Sequence, residues 1–285
     1  MSANIKTTPK AKATPQIKLT KNSPSFWRVT FDNPPLNLMG PQFVVEFGQI
    51  MNAIEGDDQV RVVVFDSAVD GFFLNHSDFT VDMKELTALP QGPTGLEGWP
   101  DVLVRITRAP VVFIAKIRGR ATGNGSELNL SCDMSFASLE KALLSQWEVG
   151  VGMVAGGGPM ARLPRLVGRA RALEILMSSD DITGELAQAY GYVNRAFPDA
   201  ELDGFVDKLA KRIASFDKWA IANTKRLVNT SLSPDVEMAA GWDACMASVA
   251  RPATQARIKK FIEMGFHKPG DIENRIGYHL DELNR

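Results

Sequence analysis

The sequence predicts an α/β core followed by an all-helical C-terminal region, and two observations support this fold class. Up to about residue 198, short apolar runs of strand length alternate with stretches whose apolar residues have helical spacing. After about residue 199, only the helical spacing remains. Because strands that alternate with helices are typical of layered α/β folds, we place the boundary between the two regions at this point.

The first elements of the core follow from the periodicity of the apolar residues. Residues 26–31 alternate so that Trp27, Val29 and Phe31 share one face, which predicts a strand. The Pro-Pro pair that follows ends this strand. The next apolar residues have helical spacing and predict a helix: Phe43, Phe47, Ile50, Met51 and Ile54.

The later elements of the core are short apolar runs. Residues 60–65 predict a strand that is covered on both faces, since such strands are nearly all apolar. Residues 111–115 predict a third, buried strand, and residues 134–137 are a candidate for a fourth. Residues 80–100 are rich in glycine and proline and predict a loop or a lid. Residues 126–132 predict a short helix.

The C-terminal region has the pattern of successive helices. One helical face is formed by Leu202, Phe205, Val206, Leu209 and Ile213. Further helices are predicted at roughly 216–229, 234–249 and 253–265. Just before this region, Thr183 has the position of a helix N-cap and Gly191 that of the residue after a helix end.

Composition and charge exclude several classes of function. Lys plus Arg is 32 and Asp plus Glu is 33, so a protein that binds nucleic acid or a membrane surface as a whole is not indicated. No apolar run reaches the length of a membrane span. The two cysteines, Cys132 and Cys245, lie far apart and predict neither a zinc site nor a disulfide framework. We therefore expect a cytoplasmic protein with no metal.

The first 24 residues have a composition of their own. They contain five lysines and no acidic residue, and they lack the apolar segment of a secretory signal. We interpret residues 1–24 as a disordered basic tail, with an organelle transit peptide as the alternative. The predicted organisation is this tail, an α/β core over 25–198 and a helical region over 199–285.

Glu127 and Glu148 carry the strongest functional signal. Each lies in a glycine-marked segment beside apolar residues. Glutamates usually lie on the surface, and that alternative stays open, but a carboxylate in an apolar setting is buried for a reason. Two carboxylates on one water molecule, beside backbone N–H groups that glycines leave accessible, can add water across an activated double bond.

Two further segments combine small polar residues with a strand end. The turn Gly123-Asn-Gly125 opens the predicted helix, and a helix N-terminus offers unpaired N–H groups that suit a developing oxyanion. A tight turn without a ligand is the alternative. His76 follows another apolar run, and it is either a catalytic base or a hydrogen-bonded structural residue.

Five segments, taken together and in this order, resemble the enoyl-CoA hydratase/isomerase family, the crotonases. They are Pro35-Leu-Asn-Leu38, residues 73–79, residues 117–128 with Cys132-Asp133, Gln146-Trp-Glu148 with the glycines at 156–158, and residues 187–197. The resemblance extends from about Phe26 to Gly265. It implies a crotonase-like spiral of ββα units, followed by a helical oligomerisation region that forms a homotrimer or a dimer of trimers.

The resemblance also implies an acyl-CoA thioester substrate and no separate cofactor, since CoA is part of the substrate. By motif position, the oxyanion hole falls on the backbone N–H groups of Ser77 and Asn124. The two glutamates that hold water in the hydratases of the family fall on Glu127 and Glu148. We expect further substrate contacts at Leu36, Asn75, His76, Gly123 and Arg120.

The sequence departs from the family pattern at several of these positions. His76 replaces a small residue, and Arg118 and Arg120 replace a more typical asparagine and aromatic residue. These side chains would narrow or polarise the pocket, so they affect which substrate binds more than they affect the fold. We expect Trp99, in the segment 80–100, to wall the acyl pocket.

The predicted function is an enoyl-CoA hydratase. Isomerases of the family commonly keep an acid only at the second position, so the presence of both Glu127 and Glu148 favours hydration. The alternatives are another crotonase-type reaction, such as isomerisation, C–C bond cleavage or thioester hydrolysis, and a non-catalytic member that binds acyl-CoA or a macromolecule. We expect neither a nucleic acid nor a membrane as a partner.

Overall fold

Ten strands form two sheets in the computed structural model, which describes residues 14–284 except 83, 84, 86, 87, 232 and 233. The strands are Ile17–Lys21 (β1), Phe26–Phe31 (β2), Val62–Ser67 (β3), Phe72–Leu74 (β4), Val112–Ile117 (β5), Arg120–Thr122 (β6), Met134–Ser138 (β7), Leu143–Ser145 (β8), Ile182–Thr183 (β9) and Arg195–Phe197 (β10). One sheet has the order β1-β2-β3-β5-β7-β10, and the other has the order β4-β6-β8-β9.

Successive strand pairs divide between the two sheets. Strands β3, β5 and β7 lie side by side and parallel in the larger sheet, and β4, β6 and β8, each of which follows one of them, lie parallel in the smaller sheet. Each turn of the chain thus adds one strand to each sheet. This confirms the predicted spiral of ββα units, with helices gathered at the C-terminus.

The helices cover the faces of the sheets and form the C-terminal region. They are Pro41–Glu55 (α1), Gly98–Arg108 (α2), Asn124–Ser131 (α3), Pro159–Val167 (α4), Arg169–Ser178 (α5), Gly184–Tyr190 (α6), Asp199–Ala214 (α7), Lys218–Val228 (α8), Pro234–Val249 (α9), Pro252–Met264 (α10), Asp271–Asn274 (α11) and Ile276–Asn284 (α12). Glu148–Val151 forms a 3₁₀ turn. Within the described ranges, none of these helices has both the length and the apolarity that crossing a bilayer requires.

Most predicted elements are confirmed within two or three residues. The helical pattern at 43–54 is α1, and its apolar residues are buried in the main core together with Trp27, Val29 and Phe31. The Thr183 hydroxyl accepts from the Leu186 N–H at 3.2 Å, as expected of an N-cap. Gly191 ends the same helix with a φ of 82°, a left-handed conformation that glycine adopts readily.

Two predictions of organisation are wrong in part. The disordered tail over 1–24 is contradicted at residues 17–21, because these residues form β1 and pair antiparallel with β2; residues 1–13 lie outside the described part of the chain. The loop over 80–100 ends earlier than expected, because α2 begins at Gly98. Proline is compatible with the first turn of a helix, where its missing N–H has no partner to lose.

Candidate active site

The smaller sheet brings three loops of the sequence to one edge. Strands β4, β6 and β8 are parallel neighbours, so their carboxyl ends point the same way. The loop after β4 carries Ser77, the turn after β6 carries Asn124, and the segment after β8 carries Glu148. Residues separated by more than 70 positions therefore meet because the strands before them are parallel.

These loops surround one small cavity. Its wall includes Ser77, Asn124, Glu127 and Glu148 from the core, with His76, Phe79 and Trp147 beside them. Helix α9 closes the other side with Trp242, Cys245, Met246 and Val249. The cavity has a volume of about 40 Å³. This is room for about three water molecules.

Glu127 is buried on α3 and is held by several donors. Its Oε1 accepts from the Gly157 N–H at 2.6 Å, and its Oε2 accepts from Trp99 Nε1 at 2.8 Å and from Asn124 Nδ2 at 3.2 Å. Burial raises the pKa of this carboxyl, and the hydrogen bonds oppose that rise. A carbon atom on Gly157 would overlap the carboxylate, so this close approach requires glycine.

Glu148 is also buried, but its environment is different. Its Oε2 has no hydrogen-bond partner among the described residues. Burial, and then the charge of Glu127, raise the pKa of Glu148 well above its usual range, while a backbone hydrogen bond lowers it. Because the donors favour charge on Glu127, the pair is arranged to hold its negative charge on Glu127 and a proton on Glu148.

The backbone N–H groups of Ser77 and Asn124 are available to a ligand. Within the described residues, neither amide donates a hydrogen bond, while the Ser77 hydroxyl donates to Asn124 Oδ1 at 2.9 Å. The left-handed conformation before α3 falls on Gly123, with a φ of 54°, so Asn124 needs no unusual backbone angle. Two such amides on one cavity can polarise a carbonyl oxygen.

Gly123 and Gly125 allow the close packing around Asn124. A side chain on Gly123 would press on Trp147 and Glu148, and one on Gly125 would overlap the Leu74 carbonyl. Gly123 lies outside the cavity wall, so its contact with a substrate stays a prediction. The turn that the sequence singled out is needed to bring α3 against β4 and the segment of Glu148.

The predicted substrate contacts divide into three groups. His76 lines the cavity, but both of its ring nitrogens are engaged, to the Ser77 carbonyl and to Glu273, as in the structural alternative. Leu36 and Asn75 are buried outside the cavity wall, so their contacts with CoA stay predictions. Arg120 also lies outside the cavity wall, and its guanidinium pairs with Asp181 and the Asn274 carbonyl, so its contact with a substrate stays a prediction.

Two side chains have roles that the sequence did not indicate. Trp99 was expected to line the cavity, but it does not. It is 1% exposed, and its indole N–H holds Glu127. Glu273 lies beyond the part of the chain that the resemblance covers, and it contacts the loop of Ser77 through Asn75 and His76. The sequence signal for the Glu273 contact was that a histidine such as His76, if buried, needs a hydrogen-bond partner.

Comparison with known proteins decides the family. The family model for enoyl-CoA hydratase/isomerase matches residues 21–266. The chain belongs to this family. The chain is 29% identical to a curated relative, the short-chain-enoyl-CoA hydratase of Clostridium acetobutylicum, over 76% of this chain and 82% of the relative. It is 31% identical to the crotonyl-CoA hydratase of Syntrophomonas wolfei, over 76% and 83%.

The solved structures of the family extend the comparison to nearly the whole chain. A crystal structure described as that of a candidate enoyl-CoA hydratase from Streptomyces avermitilis superposes with a TM-score of 0.89 at 37% identity. It covers 95% of this chain, and this chain covers 98% of it. The crotonase fold of this family member therefore includes the C-terminal helices as well as the core.

Proposed function

We propose that this protein is an enoyl-CoA hydratase, which adds water across the 2,3 double bond of a 2-enoyl-CoA thioester. One observation carries the proposal. The two buried glutamates, Glu127 and Glu148, line one small cavity beside two backbone N–H groups that donate to no described residue. The names of the relatives, a short-chain-enoyl-CoA hydratase and a crotonyl-CoA hydratase, support the same reaction.

In the proposed mechanism, the thioester oxygen binds between the N–H groups of Ser77 and Asn124. These two donors draw electron density away from the β-carbon and stabilise the enolate that forms when water attacks there. Each donor of this kind contributes roughly 3–4 kcal/mol to the transition state. Because the backbone donates, Ser77 and Asn124 serve as well as the smaller residues usual in the family.

The two glutamates supply the proton transfers. Glu127, as the carboxylate, holds the water and takes one of its protons as the oxygen bonds to the β-carbon. Glu148, as the acid, gives its proton to the α-carbon, so that the product is a 3-hydroxyacyl-CoA. Positioned acid–base groups contribute about 10²–10⁴-fold to such a rate. Both carboxylates are buried, which strengthens their electrostatic interactions and their hydrogen bonds.

The direct test uses crotonyl-CoA and longer 2-enoyl-CoA thioesters with the purified protein. We expect the conjugated enoyl absorbance to fall, with a product heavier by one water molecule. Because Trp242 and Met246 close a cavity of about 40 Å³, kcat/KM should be highest for crotonyl-CoA and fall as the chain lengthens. Tight acyl-CoA binding without turnover would contradict hydration and favour the non-catalytic alternative.

A substitution of Asn124 tests the charge state of Glu127. Asn124→Ala keeps the backbone N–H but removes the side-chain donor to the carboxylate, so the pKa of Glu127 rises. A base with a higher pKa is protonated at higher pH, and the acidic limb of kcat/KM should therefore move to higher pH. The check is a pH–rate profile for crotonyl-CoA.

Ser77→Ala is the matched control for that profile. It breaks the same Ser77–Asn124 hydrogen bond but leaves the Asn124 amide on Glu127. Its acidic limb should stay at the wild-type position. If both variants move the limb equally, then Asn124 does not act on the pKa of Glu127.

Isomerisation of the double bond is the second candidate reaction, and one observation favours it. Three side-chain or backbone donors occupy the acceptor sites of Glu127, whereas Glu148 Oε2 is buried with no hydrogen-bond partner among the described residues. A reaction that needs one acid–base group could use Glu148 alone. For hydration, the water molecule has to bind the Glu127 oxygen that also accepts from Asn124. That hydrogen bond, at 3.2 Å, is the longest of the three.

The homotrimer, or dimer of trimers, stays a prediction and is part of this proposal. Helix α8 leaves Trp219, Leu227 and Val228 largely exposed. An apolar group of this kind on a surface helix is typical of a contact between protein chains.

A further inference from the structure

Glu273 is a buried carboxylate that the proposed mechanism does not use. It lies in α11, beyond the residues that the family model matches, and it is 0% exposed. Its Oε2 accepts from Asn75 Nδ2 at 2.9 Å and lies 3.2 Å from His76 Nε2. Its Oε1 accepts from the His267 N–H at 2.7 Å. Two of these three partners belong to the loop that carries Ser77.

The His76 ring connects Glu273 to Ser77, whose N–H belongs to the proposed oxyanion hole. Its Nδ1 lies 2.9 Å from the Ser77 carbonyl, which can only accept, so Nδ1 carries a proton. Its Nε2 lies 3.2 Å from Glu273 Oε2. The two ring nitrogens of His76 therefore bridge the Ser77 carbonyl and the Glu273 carboxylate.

The peptide that presents the Ser77 N–H is fixed on both sides. The His76 carbonyl, which belongs to this peptide, accepts from the Met39 N–H at 3.0 Å. The Ser77 carbonyl, in the next peptide, accepts from the His76 ring. Since β4 ends at Leu74, no strand hydrogen bonds hold this stretch in the smaller sheet. Side chains and the Met39 bridge determine where the N–H points.

The same histidine is packed between aromatic rings. Phe266 stacks on His76 with centroids 4.1 Å apart, and Trp147, the residue before Glu148, lies 5.4 Å from His76. His267 accepts from the Phe79 N–H, and burial and the charge of His76 lower its pKa to about 4, which keeps it neutral. The segment from Phe266 to Glu273 thus contacts the loop of Ser77 and the segment of Glu148 together.

We propose that Glu273 is a positioning residue of the active site, which holds His76 so that the Ser77 N–H points at the thioester oxygen. The inference rests on the proposed function for the identity of that ligand. Burial raises the pKa of Glu273, but the His76 charge and three hydrogen bonds outweigh it and bring the pKa to about 2. Glu273 is therefore ionised at neutral pH, as this role requires.

The experiment compares wild type with Glu273→Gln and with Glu282→Gln as the matched control. Glu282 lies on α12 of the same segment and pairs with His279 at 2.8 Å, on a partly exposed face. Two quantities are measured: kcat and KM for crotonyl-CoA, and the absorption of a bound cinnamoyl thioester of CoA. That absorption moves to longer wavelength when the thioester oxygen accepts hydrogen bonds.

We expect Glu273→Gln to lower kcat by about 10–100-fold, because a small misplacement of a donor has an effect of that size. KM should change much less, since the oxyanion contact strengthens in the transition state. The red shift of the cinnamoyl thioester should diminish, and Glu282→Gln should match wild type. If Glu273→Gln keeps the wild-type kcat and the full red shift, the proposal is overturned.

A second variant covers the case in which Glu273→Gln does not fold, since removing one partner of a buried pair is strongly destabilising. The double variant His76→Gln with Glu273→Gln replaces both partners by neutral amides. If it folds, by circular dichroism and thermal unfolding, a diminished red shift supports the proposal and a full red shift overturns it. The spectral shift needs no turnover. A wild-type protein that shifts the spectrum but hydrates nothing therefore refutes the proposed function alone.

Discussion

Glu127→Gln is expected to lower kcat for hydration of crotonyl-CoA by about 10²–10⁴-fold. An amide cannot take the proton of the attacking water. In addition, the carboxylate accepts from Gly157 at one oxygen and from Trp99 and Asn124 at the other. A glutamine has one accepting oxygen, so its NH₂ group would face a donor, and the side chain would lose its position.

The measurement is the steady-state rate with crotonyl-CoA for wild type, Glu127→Gln and the control Glu174→Gln. Glu174 pairs with the Tyr190 hydroxyl on the surface of α5, so its variant should keep the wild-type rate. Conversion of a 3-enoyl-CoA to the 2-enoyl isomer is followed in parallel. An isomerase that needs only Glu148 would keep this activity in Glu127→Gln. Undiminished hydration by Glu127→Gln would contradict the proposed role of this residue.

Glu148→Gln is expected to lower kcat by a similar factor, about 10²–10⁴-fold, while raising the thermal stability of the protein. The acid that protonates the α-carbon is lost, which explains the rate. The stability should rise because burial and the charge of Glu127 make an ionised Glu148 unfavourable in the folded state. A glutamine of nearly the same shape carries no charge at any pH.

The sign of the pH dependence follows from the raised pKa. The folded state binds the proton of Glu148 more tightly than the unfolded state, whose pKa is near 4.5. Stability of the wild type therefore falls as pH rises above that value, until the folded pKa is passed. The advantage of Glu148→Gln should grow over this window by up to about 1.4 kcal/mol per pH unit.

Thermal unfolding of wild type and Glu148→Gln between about pH 5 and pH 8 checks this prediction. Each kcal/mol should appear as roughly 2–4 °C in Tm. Equal Tm values across the whole range would mean that Glu148 is not destabilised by burial and by Glu127. A lower Tm in the variant at every pH would have the same meaning.

Much of the fold follows from local patterns in the sequence. The spacing from Phe43 to Ile54 predicted α1, and the apolar run 134–137 predicted β7, because helical and extended backbones repeat with different periods. Local patterns also singled out Glu127 and Glu148, since each is a carboxylate between glycines and apolar residues. The family resemblance then supplied the order in which the loops meet.

The sequence by itself therefore determined the fold class, the family and the two glutamates of the proposed site. The partners of side chains were decided by the tertiary structure alone. Glu273 meets His76 across 197 positions of sequence, Trp99 holds Glu127 instead of lining the pocket, and Arg120 turns to Asp181. The physical reason is that periodicity encodes which face of an element is buried, whereas the hydrogen-bond partner of a buried polar group depends on what the completed fold places within about 3 Å of it.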